Sequence, residues 1–197
     1  MYVTAEIIRE IEARFGVPDE VVWQFEMLPH EFDMVRRSQK HKRAHDVTLF
    51  IIDDGQVVVI KKPMYPPGAY RAPSGGVEPG ELFEAGALRE AYEETGLAVA
   101  LDRYVVRARV KFTCAGDEID WATHVLSAHA VGGVLAPVDT HEIVEARWAT
   151  VAEILGPMRE AMMRSGSTGL RYRAQLQDAV VARLIAMGRL TQPGTEA

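Results

Sequence analysis

The sequence predicts a three-layered α/β/α domain preceded by a helical N-terminal extension. Three observations carry this reading: apolar residues at helical spacing near both ends, β-rich runs through the middle, and glycine-marked turns between them.

Length and charge bound the rest. A chain of 197 residues builds one well-buried core and leaves little for a second full domain. Its 48% hydrophobic and 25% charged residues belong to a packed globular protein. No run approaches the roughly 20 apolar residues that span a bilayer, and the N-terminus lacks a signal-peptide pattern, so a cytoplasmic location without membrane partners is expected. The lone Cys114 can form neither an internal disulfide nor a cysteine zinc cage, which agrees with a reducing compartment. A net charge of −6 argues against stable nucleic-acid binding, which relies on summed positive charge, and suits a site that collects divalent cations.

Residues 1–44 read as the helical extension. Ile7, Ile8, Ile11 and Phe15 keep helical spacing after a Thr4 cap, and a second pattern, read as helical, runs from about Pro18 to Ser38 with a break at Pro29. Apolar faces of this size should pack on the domain or on a second copy, and a homodimer is expected on that ground. Lys40, His41, Lys42 and Arg43 form a basic cluster that reads either as a solvated junction or as a phosphate contact.

The domain proper is expected over 45–197. Val47–Ile52 and Val57–Ile60 are β-rich runs joined by Asp54-Gly55, both of which tolerate positive φ, and so read as a hairpin. Lys61 to Gly76 is a loop rich in Pro, Gly and Tyr, whose Tyr65, Tyr70 and Arg71 are candidates to stack on a base or hold a phosphate. Residues 81–95 read as a helix stopped by Gly96, and 98–112 and 119–129 as strands around a turn at Gly116-Asp117. A strand fits 142–149, Thr150 to Glu153 makes a capping box, and 168–188 reads as an amphipathic helix through Leu170, Leu176, Val180 and Leu184.

The chemistry concentrates between Gly75 and Leu97. On a helix Glu90, Glu93 and Glu94 stand as i, i+3 and i+4, so three carboxylates share one face and repel. Arg89 can pair with Glu93, but one arginine cannot neutralise three carboxylates, whereas Mg²⁺ or Mn²⁺ takes such hard oxygen ligands. A bare Glu-Glu pair would read as a solvated acidic face. Here Gly75, Gly76 and Gly80 precede the helix and let backbone approach a metal or phosphate closely. The chemistry this suits is attack of water on phosphorus.

These residues resemble the Nudix box, G-x5-E-x7-R-E-U-x-E-E-x-G-U with U aliphatic. Gly75, Glu81, Arg89, Glu90, Glu93, Glu94, Gly96 and Leu97 fall on its fixed positions, and Ala91 occupies the first U. The resemblance covers residues 75–97 and implies a mixed sheet between helices and a hydrolase that cleaves the pyrophosphate linkage of a nucleoside diphosphate joined to another group. It implies that Glu90, Glu93, Glu94 and the Ser74 carbonyl hold Mg²⁺ or Mn²⁺, with Arg89 and Glu93 catalytic and Glu81 supporting the helix. Many members carry Gly-Gly-Lys where this chain has Ser74-Gly75-Gly76, so the lysine is missing. A proline about 15 residues past the box, usual in ADP-ribose pyrophosphatases, is absent too, since none occurs between Pro79 and Pro137.

Several members use a glutamate beyond the box as an extra metal ligand or as the base. Glu142 is the best-placed candidate and Glu145 the second. Two other classes compete. A ligand-sensing module on this fold tends to lose box carboxylates, and this chain keeps them. An isomerase of the isopentenyl-diphosphate type needs a catalytic cysteine and a matching glutamate, and Cys114 falls at a strand end. His41 and His45 at i, i+4 lack an obvious third metal ligand.

Overall fold

The computed structural model describes residues 3–39 and 43–194. Helix α1 (Ala5–Phe15) starts at Thr4, whose hydroxyl accepts from the Ile7 amide at 3.3 Å. The segment expected to continue as helix does not. Asp19–Glu26 is a strand, β1, and only Pro29–Ser38 is helical, as α2 with Pro29 in its first turn. The reason lies in Val21, Trp23 and Phe25, whose period of two turns alternate side chains toward the core while Val22 and Gln24 face outward.

Strands β2 (His45–Asp53) and β3 (Gln56–Lys61) meet at Asp54-Gly55, where φ is +45° and +72°. β4 is the short pair Ser74–Gly75, and helix α3 spans Phe83–Thr95. β5 (Leu97–Cys114) and β6 (Asp117–Gly133) form a long antiparallel pair. Their turn sits one residue earlier than expected, because Ala115 and Gly116 carry the positive φ. β7 (Glu145–Thr150) runs into the Thr150–Glu153 capping box that opens α4 (Val151–Glu153). The chain kinks at Gly156-Pro157, where Gly156 leaves helical geometry with φ −100° and ψ −108°, before α5 (Arg159–Arg164), and α6 covers Thr168–Ala186.

The sheet is mixed and runs in the order β1-β5-β6-β2-β3-β7. β1 lies parallel to β5 and β2 parallel to β6, whereas β5–β6, β2–β3 and β3–β7 are antiparallel. β2 and β3 pair only at Ile52–Val57 and Asp53–Gln56 and then part. Into that gap comes the 62–76 loop: Arg71 bridges to Ile60, and Ser74 and Gly75 pair with Thr48 and Val47.

Alternation along the strands supplies two cores. Val47, Leu49, Ile51 and Val58 pack with Phe83, Ala87 and Ala91 of α3 and with Ile11 of α1. Phe50, Val57 and Val59 face the opposite way, toward Tyr172, Leu176, Val180 and Leu184 of α6. The α/β/α reading therefore holds, and its N-terminal extension is corrected from all-helical to helix, edge strand, helix. On the apolar face of α1, Ile11 is buried and Ile7, Ile8 and Phe15 are partly buried against the domain, while Val22 and Met34 of the same segment stay exposed; the homodimer remains an expectation.

Candidate active site

Three glycines allow the site to close. Gly96 ends α3 with φ of +75°, and a Cβ there would stand 2.3 Å from the Ala136 carbonyl oxygen. At Gly75 a Cβ would lie 1.9 Å from the Glu90 carboxylate, so only glycine lets the loop pass under that side chain. Gly86, inside α3, leaves room for Glu81, whose Oε2 would be 2.8 Å from a Cβ.

Arg89 is the hub. Its Nε and Nη2 bond Glu81 at 2.9 and 3.0 Å, its Nη1 reaches Glu90 at 2.9 Å and Glu93 at 3.0 Å, and Nη2 also donates to the Gly76 carbonyl at 2.8 Å. Hydrogen bonds from Arg89 hold the Glu81 carboxyl below its usual range. Glu90 behaves oppositely. Burial, opposed by Arg89 and reinforced by the charges of Glu94 and Glu93, leaves its carboxyl above the usual range.

Glu94 faces the other side of the loop. It is buried, accepts the Ser74 amide at 2.6 Å, and pairs with Arg71 at 3.2 Å. The sequence marks Arg71 as a candidate substrate contact. With 4% of its side chain exposed, and with Tyr65, Ser74 and the Ala72 carbonyl taking its other donors, it is instead a buried partner of Glu94. Helix α6 fixes this loop from behind, since Gln177 accepts the Ala72 amide at 3.2 Å.

Tyr70 is half-buried, donates to Glu145 at 2.7 Å and lies under the Arg147 guanidinium, 4.9 Å from the ring centre. Glu142 is exposed and pairs with Lys62 at 2.7 Å. Its loop is nevertheless tied to the box helix, because the Val138 and Asp139 amides both donate to the Glu93 carbonyl. Among the described residues no three acidic, histidine or cysteine side chains already surround a common point. The carboxylates are distributed over Arg89, Arg71 and backbone amides.

The donor set still fits a hard cation. Glu90, Glu93 and Glu94 lie close enough for their charges to act on one another, only Glu93 of the three is well exposed, at 44%, and Ser74 of β4 lies against Glu94. Lys40, His41 and Lys42 lie outside the described residues, and with them the His41–His45 pair. Tyr65, the third aromatic or basic candidate of this loop, is partly buried and accepts from Arg71 at 2.9 Å. Sequence reasoning missed the buried anchor Gln177, which nothing in the linear pattern links to the loop.

A profile of the NUDIX domain matches residues 40–166, more than half of the chain, and the chain belongs to that family. It is similar to the NAD-capped RNA hydrolase NudC of Stutzerimonas stutzeri (strain A1501), 27% identical over 130 residues that make up 64% of this chain and 44% of that protein. The chain thus spans less than half the length of this relative. Among solved structures it is similar to a MutT NUDIX hydrolase from Burkholderia pseudomallei, 24% identical with a TM-score of 0.49, covering 70% of this chain and 98% of that one. A UDP-X diphosphatase is 17% identical with a TM-score of 0.47, over 75% of this chain and 72% of that one.

Proposed function

We propose that this chain is a divalent-metal-dependent hydrolase that uses water to cleave the pyrophosphate linkage of a nucleoside diphosphate joined to another group. The observation that carries the reading is that Glu90 and Glu93 share Arg89 beside the Gly76 backbone while Glu94 is held next to them by the Ser74 amide and Arg71. Family membership and the substrate-type named for NudC support it.

Glu90, Glu93, Glu94 and the Ser74 carbonyl would hold Mg²⁺ or Mn²⁺. When bound, such an ion offsets charge on the diphosphate and lowers the pKa of a coordinated water. Arg89 keeps Glu90 and Glu93 aimed at one place while Glu81 fixes the guanidinium itself. Arg71 does the same for Glu94 from the buried side. Glu142 is the candidate acceptor for the proton of the attacking water, a role that requires it to leave Lys62. Tyr70 would border the nucleoside with its ring edge, held in place by Glu145.

Incubating the protein and Mg²⁺ with a panel of nucleoside diphosphate derivatives, with the products identified, tests the proposal. Cleavage at the pyrophosphate, abolished by EDTA and by Glu93→Gln, is the expected result. If nothing on the panel is cut and Mg²⁺ leaves the melting temperature unchanged, the reading is wrong.

A further inference from the structure

The missing lysine of the box loop has a spatial counterpart. Gly76 stands where many family members carry lysine, and the space its side chain would need is already filled. A Cβ on Gly76 would lie 1.6 Å from Nη1 of Arg43 and 2.7 Å from its Cζ. The guanidinium comes from the segment just before β2, remote in sequence, and occupies the space beside the glycine.

Among the described residues Arg43 is also a cation without a carboxylate partner. Most arginines near the site have a carboxylate partner: Arg89 has three, Arg71 has Glu94, and Arg173 has Asp46 at 2.7 Å. Among the described residues Arg43 forms no ion pair, and its Nε is buried without a hydrogen-bond partner. What holds it is an aromatic face, with the guanidinium 5.9 Å from the centre of the Trp121 ring. Trp121 is in turn fixed by its indole donating to Asp46 at 3.0 Å. A guanidinium positioned by packing rather than by charge keeps its own charge available.

The peptide it covers is part of the site. The Gly76 amide donates to Glu90 at 3.1 Å and the Gly76 carbonyl accepts from Arg89. We propose that Arg43 is a phosphate-binding residue of this site, contributing a positive charge against the non-bridging oxygens of the substrate's diphosphate. The inference rests on the hydrolase reading above. An arginine suits the task because its planar fork matches phosphate oxygens.

The geometry makes a swap possible. Lysine at 76 should clash with Arg43 in the single variant and replace it once Arg43 is cut back. Binding of methylenediphosphonate in Mg²⁺, measured by calorimetry, reads the charge without turnover, and melting temperatures check folding. We expect R43Q to bind about tenfold or more weakly, the scale of one hydrogen bond to a charged group. R43K should retain most of the binding, G76K should lose it, and R43A/G76K should recover it relative to R43A. Binding by R43Q equal to wild type, or no recovery in R43A/G76K, would overturn the assignment. Wild-type protein that neither binds the diphosphonate nor cuts any diphosphate substrate would remove the hydrolase reading and this inference together. Wild-type turnover with R43Q unaffected would remove only the inference.

Discussion

Glu93 and Glu94 are adjacent and chemically identical, yet their surroundings differ in sign for stability. Glu93 is 44% exposed and shares Arg89 with two other carboxylates, so losing its charge removes repulsion as well as attraction. Glu94→Gln instead leaves the buried Arg71 guanidinium with a weaker acceptor, and the Ser74 amide must bond an amide oxygen. We expect metal-free Glu93→Gln to keep its stability within about 0.5 kcal/mol and Glu94→Gln to lose about 1–3 kcal/mol, read from urea unfolding. Both should lose roughly a hundredfold or more in turnover, as when a metal-centred electrostatic contribution is removed. Equal unfolding midpoints for the two variants would show that the Arg71–Glu94 pair contributes nothing measurable.

At the scale of the element, β1 is the part whose register most needs a test. It pairs parallel with β5 from Asp19–Val106 to Glu26–Thr113, and only one of its faces meets protein. Trp23 packs edge-on against Phe25 and Tyr172, with centroids 6.4 Å apart in both cases. Trp23→Ala should therefore cost about 3 kcal/mol. Val22→Lys, at a site 73% exposed on the other face, should change stability by less than about 0.5 kcal/mol. Chemical denaturation of the two variants checks this; comparable losses would exclude the strand's alternation.

For the whole molecule, acid is the expected weakness. Burial lowers the His124 pKa to about 3 and the His45 pKa to about 4, from an ordinary 6.5. Both imidazoles sit in the core between sheet and box helix, where His124 faces Phe83 and accepts or shares a proton with Tyr104 at 2.6 Å. Because the folded pKa values lie below the unfolded ones, this contribution is complete above pH 6.5 and is lost as pH falls toward 4. Each histidine should remove about 1.4 kcal/mol per pH unit inside that window. Unfolding free energies at pH 7 and pH 5 should thus differ by several kcal/mol, and His124→Gln should flatten the slope; a pH-independent stability over this range would contradict neutral burial. Asp46, held below its usual range by Arg173, Thr123 and Trp121 despite burial, adds to the loss only at lower pH.

What the linear sequence determined is local or periodic. The Asp54-Gly55 turn, the Gly96 stop, the capping box at Thr150 and the spacing of Glu90, Glu93 and Glu94 are set by residues within a few positions of one another, so their φ preferences and helical geometry could be read directly. The one element misread, β1, has the right alternation in Val21, Trp23 and Phe25 but lies in a segment whose helical neighbours share its apolar content. Only the tertiary structure decided which charges meet. Arg71 turned from the substrate side to Glu94 because the loop that carries it enters the gap between β2 and β3 and is buried there. Arg43 reached Gly76 for a similar reason, since the strand it precedes pairs with the glycine loop. Both contacts join residues far apart in the chain, and the sign of a buried charge's effect depends on its partner, which spacing alone does not specify.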